Sequence, residues 1–145
     1  MLEAKFSASV VSALRHRGFM VNKIETHGTT IGIPDLYCVY GTPIWIELKV
    51  VNLDTKNKAA IHVPYRPGQL AWFARHKRLA PRIQLYTLVH TNDEIWLHTV
   101  EALNTNDIDR YLKRNCCVIA SANALNDIIT YIAYIARHIK GDNNE

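Results

Sequence analysis

Apolar residues recur at Phe6, Val10, Val11 and Leu14, the spacing of one helix face, and Gly18 follows as a stop. The pattern predicts a helix over residues 2–17. From residue 19 the period changes to two, which predicts strands over residues 19–25, 34–40 and 44–51. A polar loop over 26–30 separates the first pair, and Gly41-Thr42-Pro43 closes a hairpin between the second pair. These three strands are expected to form an antiparallel meander. Residues 52–66 have no clear period and read as a long loop. Pro67 suits the first turn of a second helix, residues 67–79, which stops before Pro81. Strands are expected over 82–89 and 94–100, joined by a turn at Asn92-Asp93. Short helical turns follow at 100–103 and 108–113. A last helix over 122–139 carries Leu125, Ile128, Ile129, Ile132 and Ile135, and a polar tail follows over 141–145. The order is α-β-β-β-α-β with a mostly helical addition, an α/β fold with no internal repeat or low-complexity segment.

Within the third strand Ile44, Ile46, Leu48 and Val50 share one face, while Trp45, Glu47 and Lys49 share the other. A strand inside a sheet seldom spends an acid and an amine on one face without a reason. Asp35 opens the preceding strand in Gly32-Ile33-Pro34-Asp35-Leu36-Tyr37, and a tight turn makes the two strands neighbours. Antiparallel neighbours can bring Asp35 and Glu47 close enough to share a cation, without which the two carboxylates repel. Two carboxylates around a hard divalent ion, with an ammonium beside them, suit phosphodiester hydrolysis. The bland alternative is an ordinary exposed Glu47–Lys49 pair.

The chain has 145 residues and 48% apolar content, enough for one folded domain with a real core. Residues 1–100 carry 12 Lys/Arg and 7 Asp/Glu, a balance of +5; residues 101–145 carry 5 and 6, a balance of −1. The positive excess lies with the suspected site, as a polyanionic substrate favours, although a solvated basic surface has the same signature. Cys38, Cys116 and Cys117 have neither metal-ligand spacing nor a disulfide framework, and the adjacent pair is expected to pack as small apolar residues. No signal peptide and no membrane-length apolar run is seen, so a soluble, intracellular protein without a membrane partner is expected. A phage or mobile-element source would fit.

Gly-Ile-Pro-Asp followed by Glu-Leu-Lys, an acid on the upstream helix and a Gln opening the downstream helix resemble the PD-(D/E)XK nuclease superfamily. The nearest likeness is to its VRR-NUC-like and Holliday-junction-resolvase-like branches, over about residues 1–90. The resemblance implies a restriction-endonuclease-like αβββαβ core with a central mixed sheet. Residues 1–100 would form this core, and residues 101–145 a helical C-terminal extension packed on the same domain. It also implies that Asp35, Glu47 and the Leu48 backbone carbonyl bind Mg²⁺ or Mn²⁺, and that Lys49 supports the attacking water and the phosphate charge. Glu3 matches the acid of the first helix as a further metal ligand; it equally suits a helix start. Gln69 matches the glutamine that contacts the water, the phosphate or the catalytic lysine. Arg66-Pro67-Gly68 stands before it where the branch often has Ser-Pro-Glu, which weakens a capping argument.

Lys56, Lys58, Arg66, Arg75, Lys77 and Arg78 are candidates for a groove that holds DNA phosphates, although those near the helix end also suit its dipole. Arg15, His16 and Arg17 form a further cluster at a helix end. His27 and His62 flank the motif in loops, and Trp45 is expected to pack against aromatic neighbours. The apolar stripe of the last helix is core or half of a dimer interface, since junction-cleaving relatives act as dimers. The expectation is a Mg²⁺-dependent DNA endonuclease acting on branched DNA, a Holliday junction above all, as a homodimer. A flap or nicking VRR-NUC-type nuclease is the enzymatic alternative, and a DNA-binding protein with a vestigial nuclease core the non-enzymatic one.

Overall fold

A computed structural model describes residues 2–24, 32–54, 56–99 and 111–139. Helix α1 (Glu3–Arg17) buries Phe6, Val10, Val11 and Leu14, the face its apolar spacing predicts. Strands β1 (Met20–Lys23), β2 (Leu36–Tyr40) and β3 (Thr42–Val50) form the expected antiparallel meander. The hairpin is tighter than expected: Tyr40 pairs directly with Thr42, so Gly41 alone makes the turn, at φ 81°. Strand β4 (Ala60–His62) breaks the region expected to be loop, and helix α2 spans Pro67–Leu79 as expected. Strand β5 (Gln84–His90) returns parallel to β3, with α2 as the crossover, and β6 (Glu94–Thr99) runs antiparallel to β5.

Beyond residue 110 the last helix of the mostly helical addition is present, but short strands stand beside it where helical turns or no element were expected. Strand β7 (Tyr111–Lys113) stands where a helical turn was expected; a 3₁₀ turn (Arg114–Cys116) and strand β8 (Val118–Ser121) precede helix α3 (Leu125–His138). Pairing decides these short segments. β7 finds β4 in a two-stranded sheet, and β8 extends the main sheet beside β6, through backbone partners far away in sequence. The helical turn expected at 100–103, the loop over 26–30 with His27, and the tail over 141–145 lie outside the described residues. Among the described residues no helix is long and apolar enough to cross a membrane.

The six-stranded mixed sheet has the order β1-β2-β3-β5-β6-β8. Alternation along β3 and β5 divides the core into two layers. Ile44, Ile46, Leu48 and Leu88 pack with α1 and α3 on one face. Leu85, Val89 and Trp96 pack with Trp72 and Phe73 of α2, and with Ile61 and Leu112 of the small sheet, on the other. Cys38 is buried and its thiol is pushed up to about 12 by desolvation, so it behaves as an apolar core residue. Glu47 and Lys49 have the parity of the α2 layer, and this places the site.

Candidate active site

The register Leu36↔Ile46, carried one residue further, sets Asp35 opposite Glu47. The Asp35 carboxylate ends the strand pairing: its Oδ2 accepts the Leu48 N–H at 2.8 Å, in place of a β2 backbone carbonyl. A strand residue directs its N–H and C=O to the same edge, so the Leu48 carbonyl faces the side that Asp35 occupies. This is the side from which a cation held by Asp35 would be reached.

Gly32 brings the third element in. Gly32 has φ 92°, and a Cβ built on it would lie 2.0 Å from the Gly68 carbonyl oxygen. Only a residue without a side chain allows the segment leading to Asp35 to lie on the first turn of α2. There Gln69 makes three bonds. Its backbone N–H donates to the Arg66 carbonyl at 2.9 Å, and its Oε1 accepts the Arg66 N–H at 2.9 Å. Gln69 thereby caps its own helix, with backbone and side chain exchanging bonds with Arg66 where a Ser side chain would ordinarily serve. Because Oε1 is engaged, Nε2 points away and donates to Glu47 Oε2 at 2.5 Å. The departure at Arg66-Pro67-Gly68 is thus compensated by Gln69.

Lys49 Nζ lies 3.3 Å from the same Glu47 Oε2. Glu47 is 1% exposed and Lys49 6%, so the pair is desolvated and the bland reading of an exposed strand pair is overturned. Burial, then the Asp35 charge, push the Glu47 carboxyl up to about 8, against the pull of Lys49. Glu47 Oε1 is buried without a hydrogen-bond partner. An acid crowded by a second carboxylate, with one oxygen orphaned, is the donor set of a hard divalent cation, so the residues present fit Mg²⁺.

Two neighbours were not anticipated. Thr87 pairs with Glu47 across β3 and β5, is fully buried, and accepts a 2.6 Å hydrogen bond from the Tyr65 hydroxyl. Burial, and to a smaller extent the Glu47 charge, hold the Tyr65 hydroxyl well above the usual phenol range, so it remains a donor. The available signal was Thr87 itself, a polar residue in the apolar run Leu85-Tyr86-Thr87-Leu88. Trp45 packs on Tyr37 and Trp72, as expected.

The other expected residues divide. Lys56, Lys58, Arg66, Arg75 and Arg78 are exposed. Lys77 is not: it is 7% exposed, and its ammonium donates to the Ile83 carbonyl at 3.1 Å. Its place in the DNA-facing set is therefore corrected, since the α2 face it occupies turns inward against the chain that follows the helix. Glu3 is exposed at the first turn of α1, and among the described residues no group of three Asp, Glu, His or Cys side chains converges.

No protein-family model matches the chain, and no curated protein matches it by sequence. Among solved structures it is similar to Hjc, a Holliday junction resolvase from the archaeal hyperthermophile Archaeoglobus fulgidus, with a TM-score of 0.58. The likeness covers 87% of this chain and 98% of Hjc at 13% identity. The fold is that of Hjc. It is a mixed α/β arrangement, shared at 13% sequence identity.

Proposed function

We propose that the protein is a Mg²⁺-dependent endonuclease of the resolvase kind, which hydrolyses phosphodiester bonds in branched DNA inside the cell. The observation that carries this reading is the convergence of Asp35, Glu47, Lys49 and Gln69 on an Hjc-like fold, with Glu47 Oε1 left for a ligand. Asp35, Glu47 and the Leu48 carbonyl would hold the cation. When bound, it supplies a Lewis acid for the phosphate and lowers the pKa of a coordinated water. Gln69 fixes the Glu47 carboxylate through Oε2, which leaves Oε1 free to serve as a ligand were the cation bound. Lys49 brings a positive charge to the same oxygen and offers N–H donors to a phosphate or to the incoming water. The Tyr65–Thr87 pair flanks Glu47 on the β5 side.

Lys56, Lys58, Arg66, Arg75 and Arg78 are the cations available to DNA phosphates around this site. Fold likeness to a junction resolvase favours four-way junctions over the flap or nicking substrates of a VRR-NUC-type enzyme, and a homodimer would supply two cuts. Four-way junctions, flaps and duplexes incubated with Mg²⁺ test this. Paired cuts across the junction, abolished by Asp35→Ala and Glu47→Gln with DNA binding retained, are expected. Preferential flap cleavage would transfer the reading to the VRR-NUC kind. Absence of metal-dependent cleavage in the wild type would leave a DNA-binding protein.

A further inference from the structure

On the layer opposite Glu47, α1 turns a polar side to solvent. Two grooves of about 640 and 400 Å³ run along it and share Ala8 and Ser12. Lys5, Ser9 and His16 line the first, Arg15 and Lys23 the second. Among the described residues, neither lining contains an acid. Some of these cations have structural explanations. Arg15 lies in the last turn of α1, where the helix dipole favours it, and donates to the Val21 carbonyl at 3.0 Å. Lys23, on the edge strand β1, discourages edge pairing. Lys5 has no such account: it is exposed near the N-terminus of α1, where the dipole opposes a cation. Lys5, Ser9, Ser12 and His16 lie at positions i, i+4, i+7 and i+11, one continuous helix stripe.

We propose that this face of α1 is a second DNA-phosphate surface, which engages a further arm of the branched DNA whose scissile strand lies at Glu47. The proposal rests on the nuclease reading above. It follows from the layering: α1 and the Asp35–Glu47 pair pack on opposite faces of one sheet, so DNA that contacts both must pass around the sheet. Arms that diverge from a branch point can reach both faces. The small side chains Ala8 and Ser12 admit a phosphate backbone close to the helix, and the flanking cations match its charge.

The test is Lys5→Glu with Lys23→Glu, two exposed positions outside the catalytic cluster. Binding is measured in EDTA across a salt series, on a long-armed four-way junction and on a duplex of equal length. The junction dissociation constant is expected to rise roughly 10- to 60-fold near 0.1 M salt, with the salt slope reduced by about two and duplex binding unchanged. Equal losses on both DNAs, or none on the junction, overturn the proposal. The neutral pair Lys5→Gln, Lys23→Gln gives a smaller loss of the same kind, and decides the matter should the charge reversals impair folding. Glu47→Gln separates the two readings. If wild type cleaves nothing while the α1 variants still lose the junction, the nuclease reading falls and the surface stands. If cleavage depends on Glu47 and the α1 variants bind normally, the surface alone falls.

Discussion

Glu47 is 1% exposed, lies opposite Asp35, and shares Oε2 between Gln69 and Lys49. Its carboxyl is raised to about 8 by burial first and by Asp35 second. An acid whose folded pKa exceeds its unfolded value holds its proton more tightly when folded, so stability falls as pH rises between the two values and is level above the folded one. In EDTA, wild type should therefore lose stability from about pH 4.5 to about pH 8 through this group. Glu47→Gln retains an oxygen for Gln69 and offers an amide to Asp35, so it should be more stable than wild type at pH 8 by a few kcal/mol, at about 1.4 kcal/mol per pKa unit. At pH 4 the two should be nearly equal. Urea titrations at both pH values check this, and equal stabilities at pH 8 would refute the assignment. Mg²⁺ should raise the wild-type Tm near neutral pH and leave that of Glu47→Gln nearly unchanged.

Helix α2 supplies both a positioning group and a surface, and its neighbours 77 and 78 divide these tasks. Lys77 packs inward with its ammonium on the Ile83 carbonyl, whereas Arg78 faces solvent. Lys77→Ala should lower stability by about 1–2 kcal/mol through lost packing and an orphaned carbonyl, with the salt dependence of DNA binding unchanged. Arg78→Ala should leave stability within about 0.5 kcal/mol and reduce the salt slope by about one. Denaturation curves and binding isotherms at several salt concentrations separate the two. Helix spacing already separates the two: Lys77 follows Gln69 and Phe73 at i+8 and i+4 on the buried face, and Arg78 is turned away from it. The basic character of the run hid this, and the Ile83 carbonyl supplied by the chain after the helix is what lets the ammonium be buried.

At the scale of the whole molecule, the C-terminal region is part of the core. Ile128, Ile129, Ile132 and Ala136 of α3 belong to the same buried cluster as Phe6, Leu14 and Ile46, and β8 covers the β6 edge. A fragment ending at residue 100 would expose one face of the sheet and an unpaired β6. It should fail to unfold cooperatively and should aggregate, while the full chain melts in one transition. A cooperative, soluble fragment would show residues 101–145 to be an appendage. The arrangement also explains why one layer can hold a buried charged site: α1 and α3 supply the larger apolar cluster on the other face, leaving the α2 layer to accommodate Glu47, Lys49 and Thr87.

Alternation along β3 and the stop signals around α1 and α2 were sufficient to read the meander, both helices and the facing of Glu47 and Lys49, because strand parity and helix spacing are local properties of the chain. That Asp35 and Glu47 come close was legible because the hairpin makes β2 and β3 neighbours, but their register was not: a three-residue connection over Gly41-Thr42-Pro43 would set Asp35 opposite Lys49, whereas Gly41 alone makes the turn. The strands β4, β7 and β8 were not legible, since three or four residues adopt strand geometry only when a distant partner takes their hydrogen bonds. Nor were the contact of Gly32 with Gly68, the three-way role of Gln69 or the Tyr65–Thr87 flank. Each depends on which element crosses which face of the sheet, and packing between elements far apart in the chain decides that.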